Sequence, residues 1–256
     1  MMRALYTAAT GMNAQEIKMQ VTANNLSNAS TTGYKKTRAE FEDLLVETLR
    51  PAQAGGRPIA LEVGLGVRAA GTSRSFSQGD LIGTQNPLDL AIQGDGFLSV
   101  RQADGSIALT RAGNLRVDSE GQLVTQQGLI VEPGFRVPGD ATELTIGEDG
   151  RVRATISGRT ATQDLGSLEL AMVENPGGLS AVGGNLLIPT ESSGRTQMVR
   201  PGEGGSGKLL QGFIEGSNVK TVEEMIDLIT TQRAYEMQSK VIQTADQMLQ
   251  RLTNLR

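Results

Sequence analysis

The sequence predicts an α+β chain: long helices at the N and C termini carrying coiled-coil-like seams, and a central antiparallel β-rich domain. Three observations predict it. All eight prolines and thirty of the 32 glycines lie between Pro51 and Gly216, so the ends are poor in helix breakers and the middle is rich in them. Apolar residues recur every seven positions at both ends. The middle consists of short apolar or alternating runs separated by turn residues.

In the N-terminal segment Leu5, Met12, Met19 and Leu26 form a seven-residue column, with Ala8, Ala9 and Ala23 beside it. This is an amphipathic helix with a narrow, small-residue seam. It should end in Asn25 to Gly33 (NLSNASTTG), where Asn, Ser, Thr and Gly compete for backbone hydrogen bonds. Arg38 to Leu49 reads as a short helical stretch, and Pro51 to Pro58 (PAQAGGRP) as a loop or extended linker. Beyond it Ile59, Leu61 and Val63 alternate as an edge strand would.

Strand-like runs follow at Leu88 to Ile92, Phe97 to Val100, Ile107 to Thr110, Leu115 to Val117, Leu129 to Val131, Val152 to Ile156, Leu168 to Val173, Leu186 to Ile188 and Lys208 to Ile214. Asp104-Gly105, Glu120-Gly121 and Asp149-Gly150 mark turns between them. This spacing suits an antiparallel sandwich or an irregular barrel. The C-terminal segment carries two seven-residue columns, Leu228, Tyr235, Ile242, Leu249 and Ala234, Val241, Met248, Leu255. Its start is signalled by Ser217 or Asn218, or by Thr221 with Glu224 three residues on. At ~1.5 Å per residue this helix reaches on the order of 55 Å, more than a compact domain needs. The terminal stripes must therefore meet each other or meet copies of themselves, which points to assembly. The expected division is residues 1–30 with 217–256 as a discontinuous helical domain, 31–72 as a connector, and 73–216 as the β-rich domain.

Composition narrows the chemistry. The chain has no cysteine, which excludes disulfides and thiolate metal sites. It has no histidine, so the usual acid/base residue near neutral pH and the usual zinc ligand are missing. No cofactor is expected. The net charge is −4, with no basic stripe of the kind nucleic acid requires. The first residues hold one charge and small apolar residues, but Thr7, Thr10 and Asn13 interrupt the run, so a cleaved leader is not expected.

Several motifs read as decoys. Gly64 to Ala69 (GLGVRA) nominally fits a dinucleotide fingerprint, yet Gly71, Thr72 and Ser73 stand where its helix should continue. Asn25 and Asn28 each begin a glycosylation acceptor triplet without a secretory leader to support it. Asp89, Asp95, Asp104 and Asp149 could pair as glycosidase carboxylates, but most sit beside glycine in turn contexts.

Ala23 to Lys35 (ANNLSNASTTGYK) is more specific: it is a helix end with amides in or beside an apolar seam, where a buried Asn can fix register at a cost in stability. It also resembles the signature of the bacterial flagellar rod and hook protein family, through Asn24, Asn25, Leu26, Asn28, Gly33 and Tyr34. Similar too are Phe41 to Leu45 (FEDLL), Gln93 to Val100 (QGDGFLSV), Thr110 to Leu115 (TRAGNL), Gly121 to Gly128, Asn175 to Leu179 (NPGGL), Gln211 to Val219 (QGFIEGSNV) and Gln232 to Leu252. Leu115 stands where many members have phenylalanine. Length and segment order match the distal rod branch.

The resemblance implies a structural, non-enzymatic subunit of a helical polymer, the drive shaft that crosses the periplasm from motor to hook. It implies export through the flagellar type III apparatus without a cleaved leader. The partners implied are further copies of the chain, proximal rod proteins, the hook protein and the surrounding P- and L-ring proteins. The terminal helices would pair to line the tube, placing Leu5, Met12, Met19 and Leu26 against Leu228, Tyr235, Ile242 and Leu249. Val46 to Val63 occupies the place of a rod-type insertion, with Pro51, Pro58, Ile59, Leu61 and Val63 as its candidate rigid positions. A proximal rod or hook subunit is the alternative within the class, and a secreted carboxylate-dependent polysaccharide hydrolase the remote one outside it.

Overall fold

The computed structural model describes residues 2–50, 61–156 and 162–254. Two helices flank a strand-rich middle, as the breaker distribution requires: α1 spans Met2–Ser27 and α2 spans Thr221–Asn254. The chain divides into two units, each assembled from segments distant in sequence.

The first unit holds residues 1–27, 37–74 and 220–256. Here α1 and α2 pack together, and α1 also rests on a ribbon of two antiparallel strands, β1 (Thr37–Asp43) and β4 (Val67–Arg74). Between them β2 (Val46–Arg50) pairs antiparallel with β3 (Leu61–Gly64), Glu47 opposite Val63 and Thr48 opposite Glu62. The stretch from Arg38 to Leu49 therefore falls on two strands, β1 and β2, and is not helix. Its Ala, Glu and Leu favour a helix in isolation, but β1 finds a full-length partner in β4, with a bulge between Glu40 and Phe41, and tertiary pairing overrides weak local propensity. Leu61 and Val63 lie on β3, while Pro51, Pro58 and Ile59 fall outside the described residues.

The second unit holds residues 28–36 and 75–219. Its named strand pairings are all antiparallel. A nine-stranded sheet is organised around β7 (Phe97–Arg101), which pairs with β8 (Ile107–Thr110), Ile130–Val131 and Leu170–Val173. A three-stranded meander runs through Ala141–Ile146, Arg151–Ile156 and Thr162–Ser167. Two ribbons complete the unit: β6 (Leu90–Gln93) with Lys208–Gln211, and β5 (Leu81–Gly83) with Phe213–Glu215.

The core is aliphatic, as the scarcity of aromatics dictates. Leu90, Ile92, Leu98, Val100, Leu115, Leu123, Val131, Leu168, Leu170 and Leu209 are sealed from water, each contributing roughly 1.5 to 3 kcal/mol by burial. Leu115 is 1% exposed within this core.

Candidate functional site

There are two candidate sites, one in each unit: the pair of terminal helices in the first, and the signature segment that follows α1 in the second. On α1 the deepest column is Ala8, Gly11, Ala14, Thr22 and Asn25, a stripe of small and polar residues at helical spacing. A Cβ on Gly11 would stand 2.7 Å from the Gln238 amide nitrogen, so α2 runs close against α1 at that turn. Fourteen residues further along α1, Asn25 Nδ2 donates to Glu224 Oε2 at 3.1 Å, and Glu224 lies fourteen residues before Gln238. The helices are thus antiparallel, in one register over four turns.

On α2 the face toward α1 holds buried Glu224, Thr231 and Ala245, with Leu228, Ile242 and Leu249 half-buried among them. Leu5, Met12, Met19 and Leu26 of α1 are also half-buried in the single chain, and Tyr235 is exposed. The sequence-derived columns therefore retain surface beyond the α1–α2 contact.

A second apolar stripe on α2 is open to solvent. Val222, Ile226, Ile229, Met237, Val241 and Met248 are between 44% and 68% exposed and fall on one side of the helix. At ~100° per residue this stripe lies on the order of 140° around α2 from the face that meets α1. A helix apolar on two opposing sides is built to touch two neighbours.

Asn25 ties the end of α1 to β1 and α2. It is 1% exposed, donates from Nδ2 to Thr37 O at 2.9 Å, and accepts at Oδ1 from Thr37 N at 3.0 Å. One side-chain amide thereby satisfies both backbone groups of the first residue of β1 while it also ties α2 through Glu224. Only a residue with donor and acceptor side by side does this, which explains Asn at the position. Buried in this way, Asn25 is no glycosylation acceptor. Leu26 lies half-buried beside it, and Asn24 is exposed.

Beyond α1, Asn28 accepts at its backbone O and Oδ1 from Thr31 N and Oγ1, closing a turn. Tyr34 is buried. Gly33 has φ +70° and donates its N–H to Glu215 O at 2.8 Å; a Cβ there would stand 2.7 Å from the Ala112 nitrogen. Handedness and space both demand glycine.

The residues that sequence reasoning missed lie next to these. Glu215 is completely buried and accepts from Lys35 Nζ at 2.6 Å, Arg111 Nη1 at 3.1 Å and Gly79 N at 2.9 Å. Lys35 also donates to Ser77 O at 2.7 Å, and the Arg111 guanidinium sits over the Phe97 ring. Burial pulls the Lys35 pKa below its ordinary value of 10.5, against the opposing pull of Glu215. Asn218, one of the helix starts the sequence offers, donates to Ser75 O and Ser77 O and accepts from Lys36 N, and α2 begins at another of them, Thr221. A signal was available: three ionisable residues stand within the three signature segments TTGYK, TRAGNL and QGFIEGSNV.

The decoy motifs find structural uses. Gly64 ends β3 and leads directly into β4, with no helix for a phosphate. Asp104 accepts from Ser106 N and Oγ, which lowers its pKa, and Asp149 accepts from Arg151 N; both shape turns. Asp89 accepts from Asn86 Nδ2. Asp95 accepts through its backbone O from Gly207 N. Among the described residues no group of three or more Asp or Glu is placed to hold a metal ion.

Three family models match the chain in order. Residues 5–35 match the flagella basal body rod protein model, 91–154 the D1 domain of flagellar hook protein FlgE/F/G, and 210–255 the C-terminal model of flagellar basal body rod FlgEFG proteins. The chain is 46% identical to the flagellar basal-body rod protein FlgG of Caulobacter vibrioides over the full length of both. It is 37% identical to FlgG of Bacillus subtilis, again over the full length of both. It is 35% identical to the basal-body rod protein FlgF of Salmonella typhimurium, over 95% of this chain and 94% of that one. The α1 column with Asn25, and the Lys35 and Glu215 pair, fall inside the first and third matched regions.

Proposed function

The chain belongs to the flagellar basal-body rod protein family, and on that premise we propose that it is the structural subunit of the distal rod, polymerising into a rigid helical tube that transmits torque to the hook and conducts exported subunits. The single observation that carries the polymer is the open apolar stripe of α2, from Val222 to Met248. It runs about 40 Å at ~1.5 Å per residue. Apolar surface of that extent on a helix marks an interface. An occupant must present an apolar helix of similar length. Among the described residues only α1, with 26 residues, and α2, with 34, are long enough, so the occupant is a second copy of this chain.

Within this reading α1 and α2 pair as a coiled coil, since fourteen residues between matched contacts is two heptads. Leu5, Met12, Met19, Leu26, Leu228, Tyr235, Ile242 and Leu249 then supply the seam and its margins. The strand pair β2 and β3, with the segment joining them, acts as a brace to a neighbouring subunit that prevents the sliding needed for bending. The neighbours are proximal rod proteins on one side, the hook protein on the other, and the P- and L-ring proteins around the shaft. The shaft crosses the periplasm, reached through the flagellar export apparatus. The similarity to FlgF keeps a proximal rod role as the second reading, though the identity to FlgG is higher over more of the chain.

The test is complementation. A strain lacking its distal rod subunit, supplied with this chain, should regain hooks attached to full-length rods in isolated basal bodies. Rods that stop at the proximal stage would reject the assignment.

A further inference from the structure

We propose that Met237 and Met248 are oxidation sites through which peroxide blocks assembly of the subunit; the proposal rests on the reading of the open α2 stripe as a contact between copies. The chain has no cysteine and no tryptophan, so methionine thioethers are its most readily oxidised side chains. Their placement is uneven. Met12, Met19 and Met172 are half-buried, whereas Met198 is 45%, Met225 52%, Met237 61% and Met248 44% exposed; of these four, Met237 and Met248 stand in the open stripe, on either side of Val241. Met237 and Met248 are eleven residues apart, close to three full helical turns, so the two sulfurs lie nearly in line along α2.

The chemistry is a two-electron oxygen transfer. A sulfur lone pair attacks one peroxide oxygen, the O–O bond breaks, and the departing hydroxide leaves as water. The thioether becomes a sulfoxide and hydrogen peroxide is reduced to water. The product places a strong hydrogen-bond acceptor on a surface otherwise made of Ile and Val. In the free subunit water solvates that oxygen at no cost. Against the apolar face of a second copy it would be buried without a donor, which is costly. Oxidation therefore spares the fold of the single chain and opposes only its association. The vulnerable interval lies before incorporation, because the polymer itself covers the stripe.

The experiment treats dilute purified full-length protein with hydrogen peroxide, maps sulfoxides by mass spectrometry, and measures the critical concentration for polymerisation by light scattering. Each protein is compared with its own untreated sample, so any effect of a substitution on assembly itself cancels. The expected result is a rise of about tenfold or more for the oxidised natural chain, unchanged far-ultraviolet circular dichroism, and reversal by methionine sulfoxide reductases. Met237→Leu with Met248→Leu should abolish the rise at the same dose. Normal assembly with both sulfoxides confirmed, an equal rise in the double variant, or loss of helical signal on oxidation would each overturn the proposal. An untreated chain that never polymerises would instead overturn the assembly reading beneath it.

Discussion

Lys35 and Glu215, 180 positions apart in the chain, form an ion pair of 2.6 Å with both side chains withdrawn from water. The pair brings the segment after α1 to the strand that precedes α2 within the second unit, and Arg111 closes the cluster at 3.1 Å. Glu215 is the hub, because two cations and the Gly79 N–H converge on it. Glu215→Ala should destabilise the second unit by about 3 to 5 kcal/mol, since it strands two buried cations. Lys35→Met should cost less, because Arg111 still neutralises Glu215. Urea unfolding of both variants checks this, and equal losses would place the hub elsewhere. The pair also carries a pH signature. With the folded pKa of Lys35 below 10.5, only the unfolded chain holds that proton in the window between the lowered value and 10.5. Stability relative to Lys35→Met should therefore rise with pH across that window and be lost as pH falls through the folded pKa.

Asn25 makes a sharper comparison. Asn25→Ala removes two bonds to Thr37 and one to Glu224, and should cost roughly 2 to 4 kcal/mol in the first unit. Asn25→Asp keeps an acceptor for Thr37 N but sets a second carboxylate against Glu224. At neutral pH it should therefore be at least as damaging, and it should recover on acidification. Denaturation followed by circular dichroism, with Asp equal to wild type at neutral pH, would refute the donor roles.

The two faces of α2 should separate in mutants. Ile242→Ala on the inner face should lower both subunit stability and assembly, losing about 2 kcal/mol or more. Ile229→Asp, on the open stripe at 49% exposure, should leave subunit unfolding within about 0.5 kcal/mol of wild type yet prevent polymerisation. Paired unfolding and sedimentation measurements decide it, and parallel losses in the two variants would merge the faces.

Deleting residues 50–58 removes the end of β2 and most of the segment that joins it to β3, and so disables the intersubunit brace. Polymers should still form, but should bend. Filament curvature in electron micrographs is the measure, and straight, equally stiff polymers would remove the brace from the account.

What could be read from sequence was what local chemistry decides. Prolines confined to the middle, and glycines nearly so, placed both helices, and Asp104-Gly105 placed the turn between β7 and β8. Arg38 to Leu49 reads as helix because its residues favour one, while the partners that make it two strands, β4 for β1 and β3 for β2, lie about fifteen to thirty positions on. The two seven-residue columns expected to form the seam run through half-buried positions, Tyr235 excepted, and miss the tightest stripe. Gly11, Ala14 and Thr22 carry little hydrophobic signal, yet small size is what lets α2 approach. Lys35 and Glu215 escaped for a different reason: each is an ordinary surface residue by type, and only their meeting across 180 positions makes them interior.

The central claim is that this chain builds a straight tube in which the open face of α2 is covered by a second copy. An electron-microscopic helical reconstruction of the purified polymer tests it most directly. The account predicts a hollow, straight tube with α1 and α2 innermost and Ile226, Ile229, Met237 and Val241 packed against the helices of an adjacent subunit. A polymer in which that stripe faces solvent would contradict it.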